Sequence, residues 1–358
     1  MIRTSRTSVL FTGYAPVHFV CFRPLYERLT ASPGFEGYVS GGLREQRGTE
    51  TFYDQPGMYQ PFGLPQEQIL PVDEMRRREF DVLIGANTKL ISPRNAGKRV
   101  QIFHGISFRN KAVRDENMAC DHYFIIGPYM HRRFVESGLL AENDPRAIKI
   151  GFPKTDALLD GSLNRNESLR RYGFNGERPV IVYAPTGQLH NSLETRGEDV
   201  IRRLATSGRF DLLIKPHDHP KNTAIDWFSR LAVLEDAHTR VVRDRDVVPL
   251  LFLADLLITD ASSVSSEYSL LDRPMVFLDV PELLESSARK DAMLDLETWG
   301  RHAGTIVEKS EDVVDAVVSA LANPSEHSET RHAMARDLFY NPGSATSAAM
   351  AWFEKTFG

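Results

Sequence analysis

Short apolar runs recur along this chain, each ending in Gly, Asp, His or small polar residues. A first series covers residues 8–12, 81–85, 99–103, 123–126 and 148–150. A second covers 180–183, 211–215, 239–242, 256–259, 275–278 and 305–307. Runs of this length, rich in Val, Ile and Leu, suit strands buried on both faces. Apolar residues at helical spacing lie between them, as in 22–29 and 310–321. The alternation predicts an α/β chain with parallel, doubly wound sheets.

The two series are separated by residues 153–179, a stretch low in apolar residues and marked by Gly and Pro. It reads as a hinge. Two Rossmann-like domains facing one another across a cleft are expected. Residues 1–155 would form the first of these domains and 156–338 the second. Residues 339–358, led in by Asn341-Pro342-Gly343, would form a last helix that crosses back to the first. Residues 41–68 show no clear period and read as a long structureless loop. Such a loop is either a variable surface feature or a flap over an acceptor.

Composition narrows the partners. A length of 358 residues suits two cores. The formal net charge of −5 argues against nucleic acid, which needs a basic surface to displace counterions. The two cysteines, Cys21 and Cys120, are far apart and form no C-x-x-C pair. They read as buried thiols, not as a disulfide framework or a zinc site. The apolar run at 9–11 is too short for a signal or a span. The expected location is the cytoplasm, with peripheral binding to the inner face of the cell membrane left open.

In open α/β sheets, ligands lie beyond the carboxyl ends of the strands, so polar residues there carry the chemistry. Residues 256–259 run into Asp260-Ala261-Ser262-Ser263, and a helical segment with Glu267 and Tyr268 follows. Strand, small-residue turn and helix start make a cradle for phosphate or diphosphate. The alternative is N-capping by Asp260 or a serine. The strand at 99–103 ends at His104-Gly105, with Arg109 and Lys111 close behind. His104 is a candidate proton acceptor, or a structural histidine. Thr186 and the Gly187 amide follow the strand at 180–183 and face a nucleotide or merely make a turn. Lys215 and His217 leave the strand at 211–215 together and could neutralise a diphosphate. His217, Asp218 and His219 could instead hold a metal, but no second ligand cluster supports it.

Taken in order, these motifs resemble the CDP-glycerol glycerophosphotransferase family of teichoic-acid-type polymer synthesis. The resemblance runs from His104-Gly105 through Gly151-Phe152-Pro153-Lys154-Thr155-Asp156, Tyr183-Ala184-Pro185-Thr186 and Lys215-Pro216-His217. It is most specific from Leu257 to Phe277. The opening, with His18-Phe19 and Arg23-Pro24-Leu25-Tyr26, is similar to a lesser degree. The chain departs from the family pattern at Ala261, Gly187-Gln188, Glu267 and Ser107-Phe108-Arg109.

The resemblance implies a GT-B fold and an enzyme of cell-wall or capsule biosynthesis. It would move a polyol phosphate from a CDP-activated donor to a hydroxyl of a glycan or lipid-linked acceptor and release CMP. It implies a metal-independent reaction with no cofactor. His104 would be the base and His217 would orient the diphosphate. Thr186, Lys215, Asp260, Ser262, Ser263 and Glu267 would hold the donor. His18, Arg109 and Lys111 would serve the acceptor or neutralise charge. A GT-B sugar transferase and a UDP-sugar 2-epimerase are the competing enzymes, and a catalytically silent nucleotide-binding protein is the third reading.

Overall fold

The computed structural model describes residues 6–86, 90–106, 108–218, 220–290 and 294–358. It divides into two compact units. The first holds residues 1–106, 112–156 and 338–358, and the second holds 107–111 and 157–337.

The first unit is built on six parallel strands: β1 (Thr7–Gly13), β2 (Phe35–Gly41), β5 (Glu79–Gly85), β6 (Asn95–Ile102), β7 (His122–Ile125) and β8 (Ala147–Lys149). They lie in the order β2-β1-β5-β6-β7-β8. The helix Pro16–Thr30 starts on a proline, whose missing N–H costs nothing in a first turn. It buries Phe19, Phe22, Leu25, Tyr26 and Leu29. The chain's last helix, Ala345–Phe357, adds Ala349, Met350 and Phe353 to the same core. Its first two amides, of Ala345 and Thr346, donate to the Asp156 carboxylate at 2.9 and 2.7 Å. Asp156 therefore caps a helix some 190 residues away in sequence, where its negative charge also suits the dipole. Gly151 completes the junction. Its φ is +100°, and a Cβ there would lie 2.1 Å from the Tyr340 carbonyl oxygen.

Residues 41–68 are not structureless. They form an antiparallel hairpin of β3 (Leu43–Arg47) and β4 (Glu50–Asp54), then the short helix Gln55–Tyr59 and two 3-10 turns. Gly48, at φ +64°, makes the hairpin turn. Most hairpin residues are exposed, so no in-out alternation marked them as strands.

The second unit has six parallel strands: β9 (Val180–Tyr183), β10 (Asp211–Ile214), β11 (Thr239–Val241), β12 (Leu256–Thr259), β13 (Met275–Leu278) and β14 (Thr305–Val307). Every residue of β9, β10, β12 and β13 is buried, which accounts for their unbroken apolar runs. The order is β11-β10-β9-β12-β13-β14, the 3-2-1-4-5-6 arrangement of dinucleotide folds. The strand order reverses between β9 and β12.

Much of the expected 153–179 hinge belongs to this unit's packing. The Arg165 guanidinium donates to the Leu253 carbonyl and to Asp255, and the Tyr172 hydroxyl donates to Asp244 at 2.7 Å. Charged side chains that tie a helix down had made the stretch look like a linker.

Candidate functional site

In the second unit, the switch point between β9 and β12 gathers Thr186, Asp260, Ser262 and Ser263. Asp260 is fully buried, and both its oxygens are spent inside the protein. Oδ1 accepts from the Thr186 and Ala261 amides at 2.8 and 2.7 Å. Oδ2 accepts from the Ser192 amide and hydroxyl at 3.0 and 2.8 Å. Burial raises its pKa, while these hydrogen bonds pull the other way. Asp260 therefore shapes the turn and does not present its carboxylate to a phosphate, which it would repel. The Thr186 amide is likewise committed, leaving its hydroxyl as the group open to a ligand.

The capping alternative for the serines does not hold. Ser263 precedes the helix Val264–Tyr268 in helical conformation and makes no side-chain cap. The Ser262 carbonyl, not its hydroxyl, accepts from the Ser265 hydroxyl at 2.8 Å. Among the described residues neither the Ser262 nor the Ser263 hydroxyl has a hydrogen-bond partner. Glu267 is buried behind them.

Lys215 is buried and pairs with Asp218 at 2.7 Å, and it also donates to the Pro216 carbonyl at 3.0 Å. Its charge is met within its own loop. That counter-charge was legible in Lys-Pro-His-Asp, where Asp218 stands three residues on. His217 is exposed beside the pair. His219 lies outside the described residues, as does Ser107. No cluster of metal-binding side chains occurs among the described residues.

In the first unit, β6 delivers His104. Its Nδ1 lies 3.1 Å from the Ala86 carbonyl oxygen. A carbonyl only accepts, so Nδ1 carries the proton and Nε2 keeps its lone pair. The ring retains solvent-exposed surface, yet protein is dense around it. Desolvation pushes its pKa below the ordinary value. The Ala86 bond opposes this and the Lys154 ammonium reinforces it. His104 is thus a neutral imidazole at neutral pH, with its basic nitrogen available.

Lys154, within the Gly151–Asp156 motif, bears on His104 through its charge, a link that its place in the sequence does not signal. Replacing it with Met removes a charge that disfavours the imidazolium. The acid limb of a pH–rate profile that depends on His104 is then expected to move to higher pH. A limb that stays or moves down would remove Lys154 from this role.

His18, in the helix after β1, is buried with its ring centroid 5.6 Å from that of His104. The Tyr14 amide donates to its Nδ1 at 3.2 Å, so a neutral His18 carries its proton on Nε2. Gly13 leaves room for it, because a Cβ there would sit 2.8 Å from His18 Cβ. Arg109 and Lys111 belong to the second compact unit, where the neighbouring Phe108 carbonyl accepts from the Asp295 amide at 2.7 Å.

Residues 90–349 match the model of the CDP-Glycerol:Poly(glycerophosphate) glycerophosphotransferase family. The chain belongs to this family. Relatives of the chain include the teichoic acid glycerol-phosphate primase of Bacillus spizizenii, 33% identical over 135 residues. That match covers 36% of this chain and 33% of the primase. The teichoic acid poly(glycerol phosphate) polymerase of the same organism is 26% identical over 184 residues, covering 48% of this chain and 44% of the polymerase. The matched stretches thus span less than half of the relatives' own length.

Among solved structures, the wall teichoic acid polymerase TagF superposes with a TM-score of 0.66 at 16% identity. It covers 98% of this chain and 89% of that one. A UDP-N-acetylglucosamine 2-epimerase reaches 0.55 at 14% identity over 99% and 97%. These likenesses concern the fold alone, and the fold of this glycerophosphotransferase-family chain is GT-B, built from two Rossmann-like units. No helix among the described residues is long and apolar enough to cross a membrane.

Proposed function

We propose that the chain transfers a polyol phosphate, such as glycerol phosphate, from a CDP-activated donor to a hydroxyl of a glycan or lipid-linked acceptor. The observation that carries this reading is the His104 hydrogen bond to Ala86, which leaves a basic nitrogen at a strand end in a member of this family. The acceptor oxygen attacks the phosphorus that bears the polyol. A new P–O bond forms, the bond to the bridging oxygen breaks, and CMP leaves with that oxygen. The hydroxyl proton passes to His104 Nε2.

Ser262, Ser263 and Thr186 supply hydroxyls to the donor phosphates, and His217 orients the diphosphate. Lys215 acts from behind, as part of its pair with Asp218. Binding and alignment supply most of the catalysis that phosphoryl transfer requires. The chemistry needs no metal on this reading, and the protein works at the inner face of the cell membrane.

The test offers CDP-glycerol, CDP-ribitol and UDP-N-acetylglucosamine, each with and without acceptor, and follows nucleotide release. CMP release from a CDP-polyol, unchanged by EDTA, is expected. Release of UDP, or epimerisation of the UDP-sugar, would overturn the reading. Loss of activity in EDTA would overturn its metal-free part.

A further inference from the structure

Four side chains of the first unit form one continuous stack near the carboxyl ends of β1 and β6. The Arg44 guanidinium carbon lies 4.9 Å from the centre of the Tyr14 ring. Tyr14 meets His18 edge-on at 4.6 Å, and His18 lies 5.6 Å from His104. The stack therefore leads from the candidate base to an arginine on the β3–β4 hairpin.

The backbone fixes the hairpin at this place. The Arg44 amide donates to the Tyr14 carbonyl at 3.3 Å, and the Gly42 amide to the Gly13 carbonyl at 3.1 Å. Gly42 has φ +143°, and a Cβ there would lie 2.7 Å from the Asp54 carbonyl carbon. Only glycine allows the chain to leave β2 and rise over Tyr14 in this way.

Charge on the hairpin isolates Arg44. Arg47 pairs with Glu45 at 2.6 Å, and Asp54 is occupied by the Gly57 amide at 3.1 Å. Among the described residues, no carboxylate pairs with Arg44, and its side chain makes no hydrogen bond. A guanidinium held over an aromatic ring, with its N–H fork open, matches the oxygens of a phosphate. The ring limits the conformations lost on binding.

We propose that Arg44, on its Tyr14 platform, binds a phosphodiester of the acceptor, in the part of the molecule that precedes the hydroxyl presented to His104. This rests on the transfer reading above and adds to it a specific acceptor contact on the β3–β4 hairpin. Tyr14 serves as the positioning residue for Arg44.

The probe is a short glycerol phosphate oligomer, compared with an uncharged oligoglycerol of equal length. Binding is measured by calorimetry and transfer by CMP release. Arg44→Gln is expected to weaken oligomer binding and raise its KM about tenfold, as for one partly exposed charge-assisted contact. kcat, and all parameters for the uncharged acceptor, should hold. Arg44→Lys should recover part of the loss, because it keeps charge without the planar fork. Wild-type oligomer affinity in Arg44→Gln, or an equal loss for the uncharged acceptor, would overturn the subsite and leave the transfer reading standing. If the wild type binds the oligomer through Arg44 but releases no CMP with any acceptor, the subsite stands and the transfer reading falls.

Discussion

His104→Ala is expected to lower kcat/KM for CMP release from CDP-glycerol by about 10²- to 10⁴-fold, the range general base catalysis supplies. The attacking hydroxyl is a poor nucleophile until its proton has somewhere to go. On the proposed reading Nε2 of His104 is that place, since Nδ1 is committed to Ala86. The lowered pKa works in the same direction. At neutral pH the imidazole is already unprotonated, and the acid limb of the profile should lie below the ordinary histidine range. The ring keeps an exposed face and its described hydrogen bond is the single one to Ala86. Stability should therefore change by no more than about 0.5 kcal/mol. Steady-state kinetics beside a thermal melt would check both halves. A loss under tenfold, with the fold intact, would remove His104 from the chemistry.

Asp260→Ala should act on the second unit in the opposite manner, through stability first. It strands three donors, the Thr186, Ala261 and Ser192 amides, and leaves the Ser192 hydroxyl with Tyr183 as its remaining partner. Breaking a buried charged network of this kind costs about 3–5 kcal/mol. Asp260→Asn keeps the shape but turns an amino group toward the Ser192 donors, so it should recover only part of the loss. Denaturant unfolding of both variants would test this. A cost below about 1 kcal/mol for Asp260→Ala would mean that water readily replaces the carboxylate. Because Asp260 draws the ends of β9 and β12 together, donor affinity should also fall in whatever fraction remains folded.

Strands β9, β10, β12 and β13 of the second unit were legible because they are buried on both faces, and burial on both faces writes an unbroken apolar run. β2 was not, because Phe-Glu-Gly-Tyr-Val-Ser-Gly mixes glycines with polar residues. The hairpin was hidden by exposure. Among candidate site residues, His104, Thr186 and the serines stand out by their places at strand ends, a topological rule that needs no contacts.

The structural duty of Asp260 could not be read in this way. Its partners stand 68 and 74 residues upstream, and an Asp beside serines looks the same whether it faces a ligand or a backbone. The stack of Arg44 on Tyr14 was hidden for the same reason, since pairing across a loop leaves no periodic trace.

The Asp156 cap and the helix it holds also set an order of events during synthesis. The core that surrounds β1 includes Ala349, Met350 and Phe353. A nascent chain emerging from the ribosome can complete the second unit's parallel sheet while the first still lacks a wall. Until residues 345–357 emerge, Phe35 and Phe124 have no Phe353 ring to pack against. Such a half-built core exposes apolar surface for the whole time the intervening residues are being translated. The first unit should therefore be the one that engages chaperones, and ribosome stalling near residue 340 should hold it there.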